Sequence, residues 1–318
     1  MTKKQKYYEY LYRRLVLEHS EWNGKDKFVH REMKLPSELK ELLDRIFVKW
    51  GLTFHRNVAL NLEKFQLWRE GFGAVRNFEY VEVASYFVLY CCLADRILDT
   101  QRFTDQEKEI VYQDIKNFWN GSYNRDGEFS ELHKIRKKIL VFFDKNEKAQ
   151  KGKHQILKAK INRALISECF MYEHSTDEFS SDMDPHNILD KSVEFVSASF
   201  LIAAWDLFGK EEIKTADLIG EIFGYVDDIC DYALDMETGT LNMVLFICMN
   251  ERTDISTMKW MEEAAGHIEI MIRLLENKVE QLRNRVDTQL YLYLLDELWN
   301  WTGDIRKYIA NYSEYSHI

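Results

Sequence analysis

Apolar residues recur every three or four positions along most of this chain. The period is clear over Leu39–Trp50, Tyr80–Leu98, Gln106–Trp119, Leu132–Phe143, His154–Tyr172, Val193–Phe208, Thr215–Leu234, Met258–Arg285 and Leu290–Tyr312. This spacing gathers apolar side chains on one helical face and leaves charges on the other. No convincing run alternates in the period of two that a half-buried strand requires. The breaks Asn120–Gly127, Asp144–Lys153 and Ser175–Asp190 are polar, and Asp184-Pro185 is a turn and helix-start signal. None is long enough to be a linker between domains, and no repeat at a fixed period appears. The pattern predicts one all-α domain over residues 1–318, a helical bundle that would place polar groups in its core from inward-facing side chains.

Composition agrees. Two prolines (Pro36, Pro185) and 13 glycines are too few for a turn-rich sheet protein. The apolar fraction of 46% is enough for a large core. A net charge of −10 argues against nucleic acid as a partner. It also means that any phosphate site needs local cations. Cys91, Cys92, Cys169, Cys230 and Cys248 form no C-x-x-C pair and read as reduced core residues, which points to a cytoplasmic protein. The start, Met-Thr-Lys-Lys-Gln-Lys-Tyr-Tyr-Glu, lacks the apolar region of a secretory signal. No uncharged apolar stretch reaches 18 residues, so no transmembrane segment is expected. The 8 Trp, 17 Tyr and 19 Phe serve mainly as core, with the alternative that some line a pocket facing a carbocation.

Two aspartate runs interrupt apolar helices. Asp95-Arg-Ile-Leu-Asp99 follows Tyr86-Phe-Val-Leu-Tyr-Cys-Cys-Leu-Ala94, and Asp227-Asp228-Ile-Cys-Asp231-Tyr-Ala-Leu-Asp235 follows Ile219-Gly-Glu-Ile-Phe-Gly-Tyr-Val226. Asp95 and Asp99 share a helical face. Asp227, Asp231 and Asp235 form a stripe at i, i+4, i+8, with Asp228 at its edge. Like charges at this spacing repel, and burying them costs several kcal/mol unless a cation lies between them. The bland alternative, a solvated face, predicts polar neighbours, whereas these are Ile, Leu, Cys, Tyr, Ala and Val. Buried carboxylates of this kind mark functional sites. Mg²⁺ is the natural partner, because it takes carboxylate oxygens and completes its octahedron with water and substrate phosphates.

The segment Leu218-Ile-Gly-Glu-Ile-Phe-Gly-Tyr-Val-Asp-Asp-Ile-Cys-Asp-Tyr resembles the second aspartate-rich motif of trans-isoprenyl diphosphate synthases, with Gly224 in place of the family's Gln. Asp95-Arg-Ile-Leu-Asp99 is similar to the first motif, D-D-x-x-D, with Arg96 in place of the second Asp. Lys191-Ser192 resembles the Lys-Thr pair that contacts diphosphate. Order and rough spacing match over residues 70–250. The family's G-G-K-R-x-R-P stretch is reduced here to Gly71-Phe-Gly-Ala-Val-Arg-Asn77, which keeps only Arg76. The paired arginines after the first motif are reduced to Arg102, and the Gly-Lys loop after the second becomes Glu237-Thr-Gly-Thr-Leu. A metal clamp without the second-substrate diphosphate site is similar to class I terpene synthases of the isoprenoid synthase fold. Arg306-Lys-Tyr308 is loosely similar to their Arg-Tyr pair.

The resemblance implies an isoprenoid-synthase-type bundle whose two aspartate helices face each other across a central active-site cavity. It implies that Asp95, Asp99, Asp227 or Asp228, Asp231 and Asp235 bind up to three Mg²⁺ ions. It implies that Arg76, Lys191 and Arg306 contact the diphosphate, although for each a plain surface charge is the competing reading. The activity implied is a carbon–oxygen lyase that ionises one allylic prenyl diphosphate and cyclises or quenches the cation. The runner-up is a prenyltransferase acting on isopentenyl diphosphate or a non-isoprenoid acceptor. A non-catalytic subunit is disfavoured by the retained stripe. A homodimer is an open assembly state. Phe87, Tyr90, Phe195, Phe200 and Tyr225 lie near the motifs as pocket or core. No G-x-S-x-G, phosphate-loop or G-x-G-x-x-G motif occurs, and the nine histidines are scattered.

Overall fold

Helices are the only regular elements among the residues that the computed structural model describes, namely 3–22, 28–74, 77–120, 127–148, 150–174, 186–238, 240–244, 260–303 and 305–306. In chain order they are α1 (Lys3–Leu11), a π-helical turn (Tyr12–Leu17), a 3₁₀ turn (Ser20–Trp22), α2 (Ser37–Trp50), α3 (His55–Gly71), α4 (Phe78–Asp99), α5 (Asp105–Lys116), α6 (Ser130–Asn146), α7 (Lys151–Glu173), α8 (His186–Ala203), α9 (Lys210–Thr238), α10 (Trp260–Arg283) and α11 (Thr288–Trp301). Each expected helix has a described counterpart; Met258–Arg285 and Leu290–Tyr312 appear as α10 and α11, the latter ending at Trp301, and positions 258–259 and 307–312 lie outside the described residues. The expected Val193–Phe208 segment begins earlier, at His186, and ends at Ala203. Among the described residues no helix is long and apolar enough to cross a membrane. The chain divides into two units, residues 1–29, 173–193 and 218–318, and residues 30–172 and 194–217.

In the second unit, α3 was not legible as a helix because it is buried on every side. Residues 61–69 are all buried, including Glu63, Lys64, Gln66 and Arg69, so no polar face marks a period of 3.6. Its charges are paired. Arg69 donates from Nη1 and Nη2 to the two carboxylate oxygens of Asp206 at 2.6 and 3.1 Å, and from Nη1 to the Ala203 carbonyl at 2.8 Å. The Glu63 carboxylate lies 2.8 Å from His30 Nδ1. Such bidentate pairing offsets the cost of burying a guanidinium.

Caps set the helix starts. Asn77 accepts from the Glu79 N–H at the start of α4, and Thr104 with Glu107 forms a capping box on α5. Helices α4, α5 and α6 meet at a buried polar centre. The Asp114 carboxylate accepts from Tyr90 Oη at 2.8 Å, lies 3.0 Å from His133 Nε2, and takes a further bond from the buried Arg136. Helices α7, α8 and α9 meet at Lys160, whose ammonium donates to Glu194 at 2.9 Å and to Asp217 at 2.6 Å.

In the first unit, α1 and the π-helical turn are tied to α10. Arg14 donates to Glu269 at 2.9 and 3.0 Å and to Glu276 at 3.2 Å, and Tyr10 donates to Glu269 at 2.6 Å. His19 stacks on Trp22 with ring centres 4.1 Å apart and meets Glu276 at 2.7 Å. Buried Tyr7 donates its hydroxyl proton to the Ile229 carbonyl on α9.

Candidate active site

The aspartate stripe stands on the C-terminal half of α9, in the first unit. Two glycines decide how close α8 comes to it. A Cβ on Gly220 would lie 2.5 Å from the Val193 carbonyl oxygen and 2.8 Å from its Cα. One turn on, a Cβ on Gly224 would lie 3.1 Å from Ser192 Cβ. Even a Cβ is tight at this contact, so Gly224 suits the packing against α8. The close crossing holds Lys191 and Ser192 beside the start of the acidic stripe. Lys191 is near enough to act on Asp228, lowering its pKa against larger opposing effects.

Asp227, Asp228, Asp231 and Asp235 are all half-buried. Asp228 and Asp235 are seven residues apart and therefore share a face. Burial pushes the Asp228 carboxyl well above the usual carboxylate range, and the charges of Asp227 and Asp235 add to the rise. The chain then returns beneath this face. Asn242, 0% exposed, donates from Nδ2 to the Asp228 carbonyl at 2.9 Å and to Asp235 Oδ2 at 2.8 Å. The Met243 N–H donates to Asp228 Oδ2 at 3.4 Å. Asn242 gives no signal in the sequence, because it lies beyond the helix and acts only through this return.

The first aspartate run ends α4, in the second unit. Asp95 is half-buried, while Arg96 and Asp99 are exposed. The Cys92 thiol, one turn before Asp95, is pushed up to about 12, first by burial and then by the Asp95 carboxylate. The buried Lys64 ammonium of α3 opposes that rise. A cation and the first motif's anion therefore converge on Cys92. Lys64 also lies 5.7 and 5.9 Å from the ring centres of Phe65 and Phe200. Its place was hidden in the sequence by the missing period of α3.

The other expected residues sort as follows. Arg306, in the first unit, donates to the Trp299 carbonyl at 2.8 Å with its guanidinium 4.4 Å from that ring's centre. Arg76, Cys248 and Tyr308 lie outside the described residues. Tyr90 and Phe200 are core, the first bonded to Asp114 and the second packed edge-on against Phe65 and Trp68. Phe87 and Phe195 are in contact at 5.9 Å. Tyr225 is half-buried with Lys278 over its ring at 5.6 Å.

Among the described residues, no three His, Cys, Asp or Glu side chains converge on one point closely enough to enclose a metal unaided. The donor set is nevertheless of hard oxygens, and Mg²⁺ is usually held by one or two carboxylates plus waters and substrate phosphates. The paired Asp228 and Asp235 carboxylates, fixed from below by amide donors, fit that mode.

No protein-family model matches this chain, and no curated protein matches its sequence. Among solved structures, it is similar to a decaprenyl diphosphate synthase from Rhodobacter capsulatus, with a TM-score of 0.52 and 12% identity over 95% of this chain and 98% of that one. The chain has the all-α fold of the isoprenyl diphosphate synthases.

Proposed function

We propose that this protein is a magnesium-dependent enzyme acting on a prenyl diphosphate, and that residues 1–318 work as one catalytic domain. The observation behind the reading is the pair of aspartate runs, ending α4 and striping α9, in a chain of this fold. In the reading we favour, one allylic diphosphate is ionised and its cation is cyclised or quenched, as in a class I terpene synthase. Asp95 and Asp99, with Asp227 or Asp228, Asp231 and Asp235, would hold the metal. Bound magnesium would neutralise charge on the departing diphosphate oxygens. Arg76, Lys191 and Arg306 would contact the same oxygens, the arginines in bidentate fashion. Aromatic side chains would keep water from the cation until the product forms.

A second reading, a prenyltransferase, is supported by the fold shared with a prenyl diphosphate synthase. Against efficient use of isopentenyl diphosphate stands the loss of basic residues around Arg76. Charge-assisted contacts to phosphate are worth roughly 1.5–3 kcal/mol each. Losing two or three weakens binding by about two to six orders of magnitude. The test is incubation with C10 to C25 allylic diphosphates and Mg²⁺, with and without labelled isopentenyl diphosphate. Diphosphate release with a hydrocarbon or alcohol product, and no incorporation of label, is expected. Efficient incorporation into a longer prenyl diphosphate would replace the lyase reading with the transferase.

A further inference from the structure

We propose that the return segment 240–244 is an amide clamp that holds the α9 carboxylates in place for the metal, with Asn242 as its positioning residue; this rests on reading α9 as a metal-binding helix. The Asp228 and Asp235 carboxyls share one helical face, and when both are ionised, as metal binding requires, their like charges push apart. A counter-cation is one remedy. Fixed N–H dipoles are another, and this segment supplies them to both. The Met243 N–H serves Asp228 Oδ2 at 3.4 Å, and Asn242 Nδ2 serves Asp235 Oδ2 at 2.8 Å.

The segment is itself locked to α9. The Thr240 N–H donates to the Asp235 carbonyl at 2.9 Å. Asn242 donates to the Asp228 carbonyl at 2.9 Å, well inside the helix, and its Oδ1 accepts the Val244 N–H at 2.8 Å. Both amide hydrogens of Asn242 and its oxygen are thereby engaged. With no exposure at all, it is not placed to touch a ligand. Its effect on chemistry must pass through Asp235 and Asp228.

Side-chain type separates this role from simple packing. Aspartate has nearly the shape of asparagine. If Asn242 only filled space, Asn242→Asp would be the mildest change and Asn242→Ala the harsher one. If it acts by donating, Asn242→Asp removes both donors and sets a third carboxylate against Asp235. Hydrogen-bonding partners of metal ligands typically contribute 10–100-fold to metal affinity.

The experiment measures Mn²⁺ binding by electron paramagnetic resonance in the presence of inorganic pyrophosphate, with a thermal melt for each variant. The expected result is a loss of Mn²⁺ affinity of about 10–100-fold for Asn242→Ala, and at least as large a loss for Asn242→Asp. The double variant Asn242→Asp/Asp235→Asn keeps an amide–carboxylate pair with reversed polarity. It should therefore melt higher than Asn242→Asp yet bind Mn²⁺ poorly, because its carboxylate is at the buried position. This variant keeps the test open if Asn242→Asp alone fails to fold. Single variants that bind Mn²⁺ like the wild type, or a double variant that does so, would overturn the clamp. Wild-type protein that binds no Mn²⁺ would instead overturn the metal-binding reading of α9, a separately recognisable outcome.

Discussion

A methyl group on Gly220 would come within 2.5 Å of the Val193 carbonyl oxygen, so α8 and α9 touch backbone to backbone where Lys191 approaches the acidic stripe. Alanine is the better helix former by about 1 kcal/mol. The clash is with main chain, however, and no rotamer relieves it. Overpacking of this kind costs about 1–3 kcal/mol. Gly220→Ala should therefore destabilise by up to about 2 kcal/mol net. Gly224→Ala, whose tightest contact is the Ser192 Cβ at 3.1 Å and which meets side chains alone, should stay within about 1 kcal/mol of wild type. Urea denaturation would rank the two, and the opposite order would contradict the close crossing.

Asp228→Asn should stabilise the metal-free protein increasingly as pH rises above 3.8. The folded-state pKa of Asp228 is raised above its ordinary 3.8, so folded protein holds the proton more tightly than unfolded chain. Its contribution is favourable below 3.8 and is lost as pH rises toward the raised value. Stability measured from pH 4 upward should fall more steeply for wild type than for Asp228→Asn. Parallel curves would show that the Asp228 carboxyl is not perturbed.

Removal of a metal ligand should separate activity from folding. Asp95→Ala and Asp231→Ala are each expected to abolish diphosphate release with little change in melting temperature, because each carboxylate lost from a metal-free acidic site relieves repulsion. Release should likewise stop in EDTA and return with Mg²⁺. If both variants turn over normally in EDTA, the metal assignment is wrong.

Glu269 gives a prediction of opposite sign. Its carboxylate is held down to about 2, first by the Arg14 guanidinium and then by the Tyr10 hydroxyl. That stability is present above the ordinary 4.5 and is lost as pH falls toward 2. The pair is partly solvated, so Glu269→Gln should cost only about 1 kcal/mol at pH 7. It should also flatten the acid limb of the stability profile between pH 4.5 and 2. An unchanged acid limb would show that α1 is not tied to α10 through this carboxylate.

The all-helical fold was legible wherever helices keep a wet face. It was not legible in α3, where Glu63 and Arg69 are neutralised by partners distant in sequence and every side is covered. Nor was it legible in α1, whose lysines and tyrosines mask the buried Tyr7, Tyr8 and Leu11. At the candidate site the carboxylates themselves were legible from their apolar setting. Left open was which of Asp227 and Asp228 ligates metal; the Met243 N–H now gives Asp228 a fixed partner. Asn242 and Lys64 were out of reach because neither sits in an acidic run, and only folding brings them to Asp235 and to the Cys92–Asp95 turn.

The bond from Tyr7 to the Ile229 carbonyl joins positions 222 apart in the chain. During synthesis at about 5–20 residues per second, α1 leaves the ribosome roughly 10–45 seconds before α9 exists to receive it. Throughout that interval the apolar side of α1, with Tyr7, Tyr8 and Leu11, has no final home. The aspartate helix of this unit is thus completed by residues translated more than two hundred positions earlier, and arrest of translation before residue 229 would leave them a hydrophobic target for chaperones.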